Sequence, residues 1–161
     1  MKTIIKLLMA LLALSFAANA SEQAPSCKLK TLDGKRSLDL ADSQGKIRYV
    51  DFWASWCGPC AASFPFMNAL HGELASQGVE IVAVNLDDNR EDALAFLEKN
   101  PVQFAIVEDK EAQCPGLYKV KAMPSSYLID RHGQIRHVHL GFHDVDKTEL
   151  RAQVQALLDE K

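Results

Sequence analysis

The 161-residue sequence contains little cysteine and no excess of positive charge. Four cysteines are too few for a disulfide-dense miniprotein, although they suffice for one reactive pair and one structural pair. The 18 Lys+Arg against 21 Asp+Glu give a formal net charge of −3, which argues against a general nucleic-acid binder. With 48% hydrophobic and 24% charged residues, the composition is that of one ordinary globular domain with a sizeable core.

The first twenty residues carry the pattern of a signal peptide. Lys2 and Lys6 precede an apolar run over residues 7–18, and Ala18-Asn19-Ala20 supplies small residues at the −3 and −1 positions of a cleavage site. The run is 12 residues long, whereas a membrane-spanning helix needs ~20, so cleavage before Ser21 is preferred to an uncleaved anchor. We therefore predict a signal peptide over residues 1–20, a single domain over 21–161, and export to an oxidising compartment.

The rest of the chain alternates strand and helix patterns. Nearly unbroken apolar runs at residues 47–53 and 79–86 are typical of buried strands, and Asp33-Gly34 is a strong signal for a two-residue hairpin turn. Shorter strands are expected at 104–107, 126–130 and 135–140, and helices after Cys60, from Asp88, over 111–118 and from Asp146. This order predicts an α/β sheet covered on both faces.

The string Trp56-Cys57-Gly58-Pro59-Cys60 lies between a buried strand and a helix. Two cysteines three residues apart can close a disulfide within one helical turn. The first would sit at the helix N-terminus, where unpaired N–H groups and the helix dipole stabilise a thiolate. Because the thiolate is the attacking species, Cys57 is predicted as the nucleophile and the more buried Cys60 as the resolving cysteine.

Metal binding is the alternative interpretation of these cysteines and of the histidines. A structural zinc site needs a second ligand pair, but Cys27 and Cys114 are isolated and the five histidines lack such spacing. His137 and His139 point to one side of a predicted strand and could hold copper, although alternating imidazoles more often decorate a solvated face. We predict no metal centre and no cofactor.

The chain resembles the thioredoxin superfamily. Residues 50–60, Val-Asp-Phe-Trp-Ala-Ser-Trp-Cys-Gly-Pro-Cys, are similar to the thioredoxin active-site segment, and Met123-Pro124-Ser125 resembles the family's cis-proline loop. The signal peptide, an N-terminal β-hairpin and a strand–helix insert (Val79 to Val107) look more like the exported TlpA/ResA-type branch. The resemblance covers residues 25–158. It implies a thioredoxin-like fold with a central mixed sheet flanked by helices.

The resemblance also assigns roles to individual residues. Asp51 matches the buried acid beneath the disulfide, and a carboxylate in an apolar strand should have a raised pKa and can accept the proton of Cys60. The alternative is a strand-end acid that faces water. ResA-like members have Glu where this chain has Ser63 and often a neutral residue in place of Asp51, so the acid chemistry looks more like that of thioredoxin. The lysine near the thioredoxin acid is replaced by Val84.

The predicted substrate contacts surround the two sulfurs. Pro124 has no N–H, so its loop can approach the dithiol closely while the backbone of Met123 pairs with an extended substrate. Trp56 would form an exposed apolar wall beside the nucleophile. Residues Gly58 and Pro59 complete the predicted substrate-binding set.

Cys27 and Cys114 are left over after this assignment. In an exported protein they favour a structural disulfide that ties the N-terminal hairpin to the loop before Tyr118, and two unpaired buried thiols are the alternative.

These observations predict a monomeric periplasmic thiol–disulfide oxidoreductase. The resemblance to its branch implies that it reduces protein disulfides, supplied with electrons by a membrane thiol-reductant donor. The resemblance to the TlpA/ResA-type branch adds cytochrome c maturation to the expected roles. A thiol oxidase or isomerase of the same fold and a non-enzymatic copper-handling chaperone are the alternatives. The Pro-x-x-x-Thr-x-x-Cys string of peroxiredoxins does not occur.

Overall fold

The computed structural model describes residues 22–160, so the predicted signal peptide lies outside the described residues. Within this range the chain forms eight strands, β1 (Glu22–Gln23), β2 (Lys28–Thr31), β3 (Ser37–Asp39), β4 (Ile47–Trp53), β5 (Val79–Asn85), β6 (Ala105–Glu108), β7 (Ser125–Ile129) and β8 (Gln134–Leu140). The same range contains α1 (Gly58–Leu74), a 3₁₀ turn (Ala75–Gln77), α2 (Arg90–Lys99), α3 (Gln113–Leu117) and α4 (Asp146–Asp159). No helix in residues 22–160 has the length and apolar character needed to cross a membrane.

All eight strands belong to one mixed sheet with the order β1-β8-β7-β4-β5-β6-β2-β3. β5 runs parallel to β4 and β6, and the other neighbours are antiparallel. All seven residues of β4 are buried, which explains why its sequence is nearly continuous in apolar residues rather than alternating. The segment expected as a strand–helix insert supplies β5, α2 and β6, and β5 lies at the centre of the sheet beside β4.

The two faces of the sheet are covered differently. α1, α2 and α4 pack on one face together with Tyr49 and Trp53 of β4, whereas Val50 and Phe52 belong to the second cluster. That second cluster is covered by α3 and by the chain around β2 and β3. The predicted α/β fold, with helices flanking a central mixed sheet, is confirmed.

Several strand ends are shifted by one residue from the sequence-based expectations, and three further differences lie at a hairpin loop and at helix starts. The hairpin at Asp33-Gly34 has a longer loop than two residues, because β2 ends at Thr31 and β3 begins at Ser37. The Thr31 N–H bonds to the Arg36 carbonyl, and Gly34 takes a left-handed φ of 71° within the loop.

The second and third differences are at helix starts. α2 begins at Arg90 with extended Asn89 as its N-cap, not at Asp88. α3 begins at Gln113 rather than at residue 111, because the Asp109 carboxylate accepts hydrogen bonds from the N–H groups of Gln113 and Cys114 at 3.2 and 2.8 Å.

Candidate active site

The cysteine pair lies where β4 turns into α1. α1 begins at Gly58, with Pro59 in its first turn, so Cys57 is the N-cap residue and its Sγ accepts from the Cys60 N–H at 3.3 Å. The two cysteines form a disulfide with a Cα–Cα distance of 5.3 Å. Cys57 keeps 6% of its surface exposed and Cys60 none. Of the two sulfurs, an incoming partner can therefore approach that of Cys57 more readily.

The turn before Cys57 is held by the carboxylate of Asp87, in the loop that follows β5. Asp87, two residues beyond β5, accepts from both the N–H and the hydroxyl of Ser55, with oxygen-to-donor distances of 2.9–3.1 Å. Asn85 donates a further bond to Asp87 at 2.7 Å. Because β4 and β5 are parallel, their carboxyl ends meet at one edge of the sheet, and this places Asp87 beneath the active-site turn.

A largely apolar groove of about 600 Å³ opens beside the disulfide. Trp56 stands in it with 72% of its surface exposed. The Met123–Pro124 bond is cis, and the loop is anchored by the Gly141 N–H, which bonds to the Pro124 carbonyl at 2.7 Å. Of the predicted contact residues, Trp56, Gly58, Pro59 and Met123 line the groove, whereas Pro124 does not. The lining also includes residues that sequence analysis did not single out, namely Leu86, Pro115, Val120, Lys121 and Ala122.

Asp51 is completely buried in the middle of β4. It lies on the same face as Tyr49 and Trp53, which share a core cluster with both active-site cysteines. Its Oδ1 accepts from the Ser126 hydroxyl at 2.6 Å, and its Oδ2 has no hydrogen-bond partner among the described residues. Burial raises the pKa of Asp51 to about 7, although the Ser126 hydrogen bond partly opposes that rise.

Cys27 and Cys114 form a second disulfide across 87 positions of sequence, with a Cα–Cα distance of 5.8 Å. It ties the segment before β2 to α3, and Cys114 is completely buried. Pro115 of α3 lines the groove. The bridge thus connects the N-terminal part of the domain to one wall of the groove.

The histidines of β8 do not assemble with other ligands. His137 and His139 share the half-buried side of β8, and His139 Nε2 lies 2.9 Å from Gln153 Oε1. Burial and the neighbouring His139 lower the pKa of His137. Residues 22–160 contain no group of three or more histidine, cysteine or acidic side chains that could hold a metal ion.

The fold and the cysteine pair define a thiol–disulfide oxidoreductase with a thioredoxin-like fold. The model of the AhpC/TSA family matches residues 20–138, which is most of the chain. The chain belongs to this family.

Individual relatives agree with that class. The chain is 37% identical over 124 residues to the thiol-disulfide oxidoreductase ResA of Halalkalibacterium halodurans, covering 77% of this chain and 70% of the relative. It is 34% identical over 131 residues to ResA of Oceanobacillus iheyensis, covering 80% and 68%. A crystal structure described as the thiol:disulfide interchange protein DsbE of Chlorobium tepidum superimposes with a TM-score of 0.82 at 43% identity, covering 86% of this chain and 96% of that one.

Proposed function

We propose that this protein reduces disulfides of exported proteins in the periplasm through Cys57 and Cys60. The observation that supports this most strongly is the position of Cys57. It caps the N-terminus of α1, is bonded to a fully buried cysteine and borders an apolar groove. The N-terminal signal pattern supports export, with residues 1–20 removed and residues 21–161 forming the mature domain.

The reaction begins from the dithiol form. The Cys57 thiolate attacks one sulfur of a substrate disulfide, the other substrate sulfur leaves as a thiolate, and a mixed disulfide forms. Asp51 then accepts the proton of the Cys60 thiol, and the Cys60 thiolate attacks the Cys57 sulfur. The second substrate sulfur leaves, so two electrons pass to the substrate and the Cys57–Cys60 disulfide remains.

The groove provides the means of holding the substrate. Trp56 offers an exposed apolar surface beside Cys57. Met123 lines the same groove, and in this proposal its backbone pairs with an extended segment of the substrate. Gly58 and Pro59 line the same groove. Cys27 and Cys114 act structurally in this scheme. A membrane thiol reductant must return the disulfide to the dithiol, since the compartment itself is oxidising.

Trapping tests the mechanism directly. A Cys60→Ala variant stops at the mixed disulfide, and mass spectrometry should find exported proteins attached to Cys57. A Cys57→Ala variant, which keeps the other three cysteines, is the matched control and should trap nothing. Adducts attached only through Cys27 or Cys114 would rule the mechanism out.

The reduction potential tests the direction. A value close to that of thioredoxin, about −270 mV, fits a reductant, whereas a value close to that of DsbA, about −120 mV, would assign the protein to the oxidases.

A further inference from the structure

The carboxyl group of Asp51 is held by one side chain from the neighbouring strand. Ser126 lies directly opposite Asp51 in the antiparallel pairing of β7 with β4, and Ala83 lies opposite it on the parallel side. Ala83 has no polar side-chain atom. Among these cross-strand neighbours, only Ser126 can therefore satisfy the carboxyl group.

Within the described residues, only one of the two carboxylate oxygens of Asp51 accepts a hydrogen bond. The Ser126 hydroxyl donates to Oδ1 at 2.6 Å, while Oδ2 is buried without a partner in the described part of the chain. Rotation about the Cβ–Cγ bond would exchange the two oxygens, and the hydrogen bond opposes that rotation. One oxygen is thus occupied and the other is left open to receive a proton.

Tyr49 lies two residues before Asp51 on the same face of β4. It is buried, and its pKa is raised by burial and by the Asp51 charge. The phenol therefore stays neutral over the working pH range. Tyr49, Cys57 and Cys60 belong to the core cluster on this face, and His71 of α1 packs against Phe104 of the same cluster. Asp146 at the start of α4 also acts on Tyr49.

We propose that Ser126 is a positioning residue for the resolution step, which it serves by holding Asp51 with Oδ2 open toward the proton of Cys60. The proposal rests on the proposed role of Asp51. Ser126 does not touch the substrate or the sulfurs in this scheme; it acts only through the orientation and proton affinity of the carboxyl group.

Replacing the hydroxyl should change the pH dependence of resolution. Ser126 stabilises the ionised carboxylate, so its loss raises the pKa of Asp51 above about 7. A rise of about one unit leaves roughly a tenth of the carboxylate ionised at neutral pH instead of half. We expect resolution to slow by about fivefold at that pH and its midpoint to move about one unit in the alkaline direction.

The measurement uses the full domain with thionitrobenzoate bound to Cys57 as a mixed disulfide. The complex is formed at low pH, the pH is raised, and release of the coloured thiolate reports the attack by Cys60. Ser126→Thr and Ser126→Val form the matched pair, since they have the same shape and differ in the hydroxyl. The threonine variant should keep the native midpoint and the valine variant should show the shift.

The Asp51→Asn variant separates the positioning role of Ser126 from the proton-acceptor role of Asp51. In that background Ser126→Val should have no further effect on the midpoint. If Asp51→Asn alters resolution but the valine variant keeps the native midpoint and rate, the role of Ser126 is wrong and that of Asp51 stands. If Asp51→Asn itself leaves resolution unchanged, the proton-acceptor role fails first. Should the valine variant not fold, Ser126→Ala takes its place with the same expected shift.

Discussion

Asp87 binds the backbone and the side chain of Ser55 at once, although the two residues lie 32 positions apart. The contact fixes the turn that precedes Cys57 to the end of β5, in the centre of the sheet. In the proposed mechanism the reactivity of Cys57 depends on its place at the start of α1, so the geometry of the site depends on this turn.

Replacing Asp87 by alanine should therefore damage both stability and activity. The variant leaves the N–H of Ser55 and the amide of Asn85 without their acceptor, which should lower the free energy of unfolding by about 2–3 kcal/mol. The alkylation rate of reduced Cys57 should fall as well. Asp88→Ala, which alters the exposed neighbour, is the control and should behave like the native protein in urea unfolding and in alkylation. Equal behaviour of the two variants would refute the anchoring role.

The buried carboxyl group of Asp51 makes stability depend on pH. Its pKa is about 7 in the folded protein and near 3.8 when exposed, so between these values the folded state binds more protons than the unfolded state. Stability must then fall as pH rises from about 4 to about 7, by up to about 1.4 kcal/mol per pH unit.

Asp51→Asn removes that contribution. The variant should be more stable than the native protein by about 4 kcal/mol at pH 8, and the difference should shrink to a small value towards pH 4. Urea unfolding of the oxidised proteins across this range measures it. Asp88→Asn removes an exposed acid and is the control. It should leave the pH dependence of the free energy of unfolding unchanged. A pH-independent difference between Asp51→Asn and the native protein would contradict the raised pKa.

The parts of the site that sequence analysis could place are those encoded locally. Cys57 and Cys60 are three residues apart at a strand–helix junction, and Asp51 sits in a run so apolar that both faces of its strand had to be buried. The fold class follows from the order of such segments. Local patterns therefore predicted the sheet, its central strand and the cysteine pair.

Sequence analysis did not predict the contacts between residues on different strands. Ser126 meets Asp51 across 75 positions and Asp87 meets Ser55 across 32, because β7 and β5 lie on either side of β4. Nothing in the spacing of these residues reveals that neighbourhood. Once the strands are paired, a polar residue in a fully buried strand indicates such a contact, and Ser126 in β7 is one.

Trp56 should contribute to substrate binding and little to stability. With 72% of its surface exposed, it packs against little of the protein, so Trp56→Ala should change the free energy of unfolding by less than about 0.5 kcal/mol. The KM for a protein disulfide should rise several-fold, while reaction with a small aromatic disulfide stays near the native rate. Leu94→Ala, another exposed apolar residue that does not line the groove, is the control. An unchanged KM for the Trp56 variant would remove this residue from the docking surface.

The Cys27–Cys114 disulfide should serve both stability and the shape of the groove. It closes a loop of 87 positions, for which the chain-entropy model gives about 4–5 kcal/mol, and Cys27→Ala/Cys114→Ala should lose a free energy of that order in urea unfolding. α3 would then be attached to the N-terminal segment by weaker contacts, such as the hydrogen bond from the Tyr118 hydroxyl to the Pro25 carbonyl at 3.1 Å.

Because Pro115 of α3 lines the groove, the same double variant should raise the KM for a protein disulfide more than it lowers kcat. Cys57→Ser/Cys60→Ser is the matched control, because it removes the short disulfide and keeps the long one. It should abolish turnover. It should retain most of the stability, since the loop that it opens spans only three positions. A Cys27/Cys114 variant that retained native KM and native stability would show that the bridge supports neither the fold nor the groove. Loss of kcat alone would instead place the second pair in the electron path.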